Sequence, residues 1–200
     1  MIAQAAKHSD WAVGYQDECW FSRLAQPDLH AWVPQDAPLP LWEKERAEGD
    51  IEAKALACYG VWLARNHSVP PAPQMLLRFV EGRPVSSVTT AFLSWIVEQE
   101  TLQDCRVLVL FWDNASWHKS KEVQAWLRAY NRQAKAQNKI RLLICPLPKK
   151  SPWLNAIEPK WVHGKRAVCE ARRVLSSDEL QKRLYRYYRA EEQPRLKQNL

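Results

Sequence analysis

Short apolar runs dominate the first eighty residues and predict a series of strands. Their bounds are residues 11–16, 20–26, 53–65 and 75–80. We expect a hairpin turn at residues 17–19 and a bend near Gly60. Proline-rich stretches at 35–40 and 66–74 predict loops between these strands.

The second half alternates between helical and strand patterns. Helices are predicted over residues 85–102, 119–135, 156–169 and 178–189, and buried strands over 107–112 and 140–145. The last helix opens with a capping-box pattern from Ser176 to Glu179. The tail from Glu191 is polar and is predicted to be disordered. Strands followed by helix–strand–helix units indicate an α/β domain with a mixed sheet.

Composition is ordinary for a soluble globular chain of 200 residues, with 46% hydrophobic and 26% charged residues. No apolar stretch is long enough for a membrane helix, and the first residues lack a signal-peptide core. Five cysteines are scattered with no C-x-x-C pair, which argues against a zinc ribbon or a disulfide framework. A reducing, cytoplasmic location is therefore expected.

Charge divides the chain more sharply than the net value of +7 suggests. Residues 1–118 contain 9 Lys and Arg against 15 Asp and Glu, whereas residues 119–200 contain 20 against 7. A concentrated basic half favours a polyanionic partner such as nucleic acid over a merely solvated helix face.

Three carboxylates stand at positions suited to metal chemistry. Asp17 and Asp113 each end an apolar run, and Glu158 lies near a helix start. Carboxylates that bridge and flank two divalent ions are the parts of a phosphoryl-transfer site. Magnesium accepts such hard oxygen ligands and keeps several waters.

Each carboxylate also has an ordinary structural interpretation. Asp17 suits a hairpin turn, and Asp113 suits a strand-to-helix loop. Glu158 fits position N3 of a capping box whose N-cap is Asn155. The three together carry far more weight than any one of them.

Two segments resemble the second and third catalytic blocks of DDE transposases, and most closely those of the mariner-like transposases of bacterial insertion sequences. The first is the Asp-Asn-x-x-x-His unit of residues 113–118, and the second is the Ser-Pro-x-Leu-Asn-x-Ile-Glu unit of residues 151–158. Residues 14–21 resemble the first block, although Asp17 and Glu18 are adjacent and either could be the ligand. The resemblance covers about residues 11–170.

The resemblance implies an RNase H-like fold, a mixed five-stranded sheet flanked by helices. The same resemblance implies that Asp17, Asp113 and Glu158 hold two Mg²⁺ ions, or Mn²⁺. Between Asp113 and Glu158 lie 44 residues, more than is usual in the family. We assign the catalytic domain to residues 1–170 and a basic helix with a polar tail to residues 171–200. Family members generally carry a helix-turn-helix region at the N-terminus, and by this resemblance we expect that region to be absent here, since the first catalytic strand begins at residue 11.

Several further residues are candidates for contacts with DNA phosphates. They are Asn114, His118, Lys119, Lys121, Lys149, Lys150, Lys160, Lys165 and Arg166. His118 could instead cap or pack, His163 is more suited to structure than to catalysis, and Trp161 is expected to wedge its helix against the sheet. Phosphate contacts of this kind give salt-dependent binding with little sequence preference.

The expected function is metal-dependent DNA cleavage and strand transfer at insertion-sequence ends. Expected partners are double-stranded DNA, a second copy of the chain, and a separate helix-turn-helix polypeptide, with no membrane involved. Two alternatives stay open: an inert DNA-binding remnant of a truncated transposase, and another RNase H-like nuclease.

Overall fold

Six strands form one mixed sheet in the computed structural model, which describes residues 1–27, 44–65 and 74–198. The strands are β1 (Trp11–Ser22), β2 (Ala55–Arg65), β3 (Gln74–Glu81), β4 (Val107–Trp112), β5 (Arg141–Pro146) and β6 (Leu196–Lys197). Their order across the sheet is β5-β4-β1-β2-β3-β6. The β1–β2 and β2–β3 pairs are antiparallel, and the β1–β4, β4–β5 and β3–β6 pairs are parallel.

Helices cover both faces of this sheet. They are α1 (Ile2–Ala5), α2 (Ser86–Ile96), α3 (Lys121–Ala136), α4 (Glu158–Val168) and α5 (Ser177–Tyr188). One large core packs α2 and α3 on the sheet, around Phe92, Leu108 and Leu127. The other packs α4 and α5, around Phe79, Trp161 and Leu184. Among the described residues, no helix is long and apolar enough to cross a membrane.

The predicted hairpin at residues 17–19 is wrong, because β1 runs without a break from Trp11 to Ser22. Only its first part, up to the pair Tyr15–Phe111, lies beside β4. Beyond that point β1 stays paired with β2, through Asp17–Gly60 and onward to the end of the strand. Three consecutive polar residues interrupt the apolar pattern, yet the backbone hydrogen bonds to β2 keep this stretch extended.

Other elements differ from the predictions in smaller ways. The helix predicted over residues 85–102 ends at Ile96 and is followed by a 3-10 turn at Glu100–Leu102. Strand β2 continues through Gly60. Leu196, in the tail predicted to be disordered, pairs with Val80 as part of a sixth strand. The Ser176 side chain accepts from the Glu179 amide, as expected. Of the predicted loops, residues 35–40 and 66–73 lie outside the described residues, and Gln74, predicted to end the second loop, is the first residue of β3.

Gly60 allows helix α4 to approach the centre of the sheet closely. A Cβ atom at this position would overlap the six-membered ring of Trp161, which is 2% exposed. The same indole packs edge-on against Phe21, at 5.8 Å, and Tyr188, at 6.0 Å. The expectation that Trp161 wedges its helix against the sheet is therefore confirmed.

We predict that Gly60→Ala lowers the free energy of unfolding by about 1–3 kcal/mol, the usual penalty for overpacking a core. Urea unfolding of wild type, Gly60→Ala, Trp161→Phe and the double variant measures it. Because the Phe ring is smaller, the double variant should be destabilised by less than the sum of the single changes. Strict additivity would contradict this close approach.

Candidate active site

A cleft of about 440 Å³ lies where β1 extends past the end of β4. The three predicted carboxylates line it together: Asp17 from β1, Asp113 from the segment after β4, and Glu158 from the first residue of α4. Residues 45 to 141 positions apart in the chain thus share one surface, because the sheet brings a strand, a strand end and a helix start to one edge. The remaining lining residues are Asn114, Ala115, Lys119, Leu147, Pro148, Lys149, Lys150, Ser151, Pro152 and Asn155.

Asp17 is partly buried and is held by the indole of Trp161. Trp161 Nε1 donates a hydrogen bond to its Oδ2 atom at 3.1 Å. Burial and the negative charges of Glu18, Glu158 and Asp113 raise the pKa of Asp17 to about 8. A carboxyl group held this way gains strongly from a neighbouring positive charge.

Asp113 is held in place by a buried histidine. Its Oδ1 atom accepts from the Ala115 amide at 2.8 Å and contacts His118 Nδ1 at 2.9 Å. Mainly because of the hydrogen bond from His118, the pKa of Asp113 lies below its usual range. Burial alone would lower the pKa of His118, but its hydrogen bonds to Asp113 and Glu18 outweigh this effect and raise the pKa to about 9. Both ring nitrogens therefore donate at neutral pH.

Glu18 lies on the other side of this histidine and is not part of the cleft lining. Its Oε1 atom is 3.0 Å from His118 Nε2 and accepts from Gln16 Nε2 at 2.8 Å. Its Oε2 atom accepts from Trp117 Nε1 at 3.3 Å, and the side chain is only 7% exposed. Successive residues of a strand point to opposite faces, so β1 presents Asp17 to the cleft and Glu18 to the histidine.

The bridge from Glu18 through His118 to Asp113 was not predicted from the sequence. His118 is fully buried and stacks on Trp112, with ring centroids 4.5 Å apart and an interplanar angle of 3°. The expectation that His118 contacts DNA phosphates therefore needs correction: its side chain positions Asp113 instead. The i, i+5 spacing of Asp113 and His118 was visible, but the partner across the sheet, 100 residues away, was not.

Glu158 does not belong to the predicted capping box. Helix α4 has Ile157 at its N-cap and no side-chain cap, so Glu158 is its first residue. Asn155 is buried and anchors the preceding loop to β1 by donating from Nδ2 to the Gln16 carbonyl at 3.1 Å. In the same way, Asn114 Nδ2 donates to the Leu147 carbonyl at 2.5 Å and ties the two loops beside the cleft together.

The donor set suits a hard divalent cation such as Mg²⁺. All three carboxylates supply oxygen, and the Oδ1 atom of Asn155, which also lines the cleft, is buried with no hydrogen-bond donor among the described residues. In the part of the chain that the structure describes, no three acidic, histidine or cysteine side chains lie close enough to form a finished metal cluster. Ions that keep several waters and take further oxygens from a substrate suit such an open arrangement.

The predicted phosphate contacts fall into two groups. Asn114, Lys119, Lys149 and Lys150 line the cleft. Four others do not: Lys121 is exposed on α3, Lys160 lies 4.3 Å from the Trp62 ring centroid, and Lys165 and Arg166 line a separate concavity. His163 is exposed on α4.

The sequence model of the DDE superfamily endonucleases matches residues 66–181. The matched segment includes Asp113 and Glu158, whereas Asp17 lies before it. No curated protein sequence matches the chain.

Solved structures of the Mos1 mariner transposase share the fold. The Mos1 strand transfer complex has a TM-score of 0.65 at 15% identity, covering 96% of this chain and 51% of that one. The paired-end complex with the left transposon end has a TM-score of 0.61 at 15% identity, covering 96% and 52%. For the paired end complex with Mg the values are 0.59, 16%, 94% and 51%. The chain thus spans about half the length of these proteins, and the expected RNase H-like α/β fold is confirmed.

Removal of individual charges should reveal the different surroundings of the two aspartates. We predict that Asp17→Asn, without metal, raises the free energy of unfolding by about 1–2 kcal/mol, because folding no longer buries a carboxyl group that is ionised in the unfolded chain. Asp113→Asn should lower it by about 1–3 kcal/mol, since it leaves the His118 cation with a weaker partner.

Urea unfolding in EDTA at pH 7.5 measures both variants. Because both substitutions replace an aspartate by an asparagine of the same shape, each variant serves as the other's control for the side-chain change. Equal shifts in the same direction would contradict the two environments described above.

Proposed function

The chain belongs to the DDE superfamily endonucleases, and we propose that it is the catalytic domain of a mariner-like transposase that cuts and joins DNA at insertion-sequence ends. One observation carries this proposal: Asp17, Asp113 and Glu158, from three separate elements, line one cleft together with lysines. The carboxylate oxygens would hold the metal ions at the reacting phosphorus, and the lysines beside them would bind the phosphate backbone. This arrangement suits attack on a phosphodiester by an oxygen nucleophile.

Asp17, Asp113 and Glu158 are the residues that would hold two Mg²⁺ or Mn²⁺ ions. When bound, such a pair activates the attacking oxygen of water or a 3′-hydroxyl and stabilises the leaving oxygen. The Glu18–His118 bridge fixes the Asp113 carboxylate, and Trp161 fixes that of Asp17. Lys119, Lys149 and Lys150 line the same cleft and would orient the DNA backbone there.

Several partners follow from this proposal. Duplex DNA, both transposon end and target, is the substrate. We further propose that the chain acts as a homodimer on DNA and that a separate helix-turn-helix polypeptide recognises the transposon ends. Its proposed location is cytoplasmic and nucleoid-associated. The similar Mos1 structures are a strand transfer complex and a paired-end complex with the left transposon end, which supports a DNA substrate for this chain.

We predict that Asp17→Asn, Asp113→Asn and Glu158→Gln each reduce metal-dependent nicking of supercoiled plasmid by at least about a thousandfold, since each removes charge needed for phosphoryl transfer. Conversion of supercoiled to open-circular DNA in Mg²⁺ or Mn²⁺ is the measurement. Duplex binding in EDTA should stay within about threefold of wild type, because phosphate contacts come from the lysines.

Glu122→Gln provides a matched control, since Glu122 is exposed in the first turn of α3 and does not line the cleft. It should nick DNA at the wild-type rate. If Asp113→Asn nicks DNA at the wild-type rate, the proposed site is excluded. Binding without nicking in wild type would identify the inert remnant, and cleavage only of an RNA–DNA hybrid would identify another RNase H-like nuclease.

Lys149 and Lys150 offer a second test of the cleft. Changing both to glutamine should reduce the slope of log affinity against log salt by about 1–2, since each lysine that neutralises a phosphate contributes about 0.9. Fluorescence anisotropy of a labelled duplex between low and moderate KCl measures the slope. An unchanged slope would show that this loop does not contact the DNA backbone.

A further inference from the structure

Helix α3 carries a row of cations on one face. Lys121, Arg128, Arg132 and Lys135 are all exposed, at spacings of 7, 4 and 3 residues. At 100° per residue they fall within about 60° around the helix axis. The buried residues of α3, Val123, Leu127 and Ala134, lie on the opposite face. Lys139 follows three residues after the helix end and lines one concavity together with Lys135, and we call these five cations the α3 ridge.

The α3 ridge is not balanced by acidic side chains. The only acidic residue of α3 is Glu122, which is about 100° away from Lys121 around the axis. None of the five cations forms an ion pair with the acidic residues that the structure describes.

Arginines near helix α5 of the same chain behave differently. Arg173 pairs with Glu179 at 2.6 Å, Arg183 with Glu170 and Glu179 at 3.1 and 3.0 Å, and Arg195 with Asp178 at 2.9 Å. A helix face that only needs solvation normally mixes both signs, as happens around α5. The unmixed ridge on α3 therefore indicates a polyanionic partner.

The α3 ridge connects the catalytic cleft with a second basic concavity. Lys119, which lines the cleft, lies two residues before the first residue of α3. Because α3 crosses over between the parallel strands β4 and β5, its other end lies where those strands begin. There Lys135 and Lys139 line a concavity of about 370 Å³ with Arg106 and Arg141, and Asp10 is its one acidic residue.

We propose that the α3 ridge and this second concavity bind the backbone of duplex DNA that leaves the catalytic cleft. The inference rests on the proposed function for the choice of DNA as the polyanion. The 16 residues of α3 span about 24 Å at 1.5 Å per residue. That length matches about seven base pairs of duplex at 3.4 Å each. A row of cations without acidic partners suits a phosphate backbone that is bound without regard to base sequence.

The test changes four ridge residues that lie away from the cleft: Arg128→Gln, Arg132→Gln, Lys135→Gln and Lys139→Gln together. A control variant with Lys7→Gln, Lys54→Gln, Lys182→Gln and Arg186→Gln removes the same charge from exposed positions elsewhere. Anisotropy of a labelled 24-base-pair duplex in EDTA, measured across KCl concentrations, gives the affinity and its salt slope. Circular dichroism checks that both variants are folded.

We expect the ridge variant to lower the salt slope by about 3–4 and to weaken binding by at least about tenfold, with the control close to wild type. Equal effects of the two variants, or none from the ridge variant, would overturn the proposal. Wild-type binding of polyglutamate with the same slope as duplex DNA would also overturn it, since it would show a general anion surface.

Plasmid nicking at low salt separates this inference from the proposed function. If wild type nicks DNA while the ridge variant binds normally, the ridge assignment fails and the proposed function stands. If the ridge variant loses binding while wild type does not nick, the ridge stands and the proposed activity fails.

Discussion

Strand β1 leaves its neighbour β4 partway along its length, and the candidate site depends on this departure. Up to Tyr15 the strand is paired on both sides, with β4 and β2. From Gln16 onward only β2 pairs with it, so its backbone groups on the β4 side have no strand partner among the described residues. Asn155, in the loop before α4, donates to the Gln16 carbonyl, whereas Trp161 of α4 lies on the face of the sheet and donates to the Asp17 carboxyl group. The cleft lies between this part of β1, the end of β4 and the start of α4.

Burial of Asp17 beside other carboxylates is the main electrostatic feature of the site. Burial, and after it the negative charges of Glu18, Glu158 and Asp113, raise the pKa of Asp17 to about 8. Asp113 is stabilised instead, because the His118 cation shares its charge between that residue and Glu18. The negative charges of this site are only partly neutralised by the protein itself, so the site is suited to binding cations. Proteins commonly accept lower stability at functional positions of this kind.

Much of the sheet could be predicted from the sequence, since β4, β5 and α3 follow clear apolar periodicities and the structure bounds them within about two residues. The error at residues 17–19 has a physical cause. Polar side chains in mid-strand look like a turn when only the local pattern is read, whereas pairing with β2 fixes the backbone. Likewise Leu196 gave no periodic signal, because a two-residue strand is defined only by the neighbour it pairs with.

The three carboxylates were predictable from motif spacing, but their supporting contacts were not. Glu18 and Asp17 are adjacent in sequence and equally acidic, and only the alternation of β1 separates the one in the cleft from the one on His118. The contact of Gly60 with Trp161 joins residues about 100 positions apart and has no local signature. The α3 ridge was visible as charge, but its lack of acidic partners needed the three-dimensional arrangement.

The central claim is that Asp17, Asp113 and Glu158 together form a site for two divalent ions on DNA. Counting bound Mn²⁺ by electron paramagnetic resonance, with the chain saturated by duplex DNA, tests it most directly. Two ions per chain in wild type, and fewer in Asp113→Asn at the same DNA occupancy, are the predicted result. The same number of bound ions in both proteins, or none in wild type, would contradict the account.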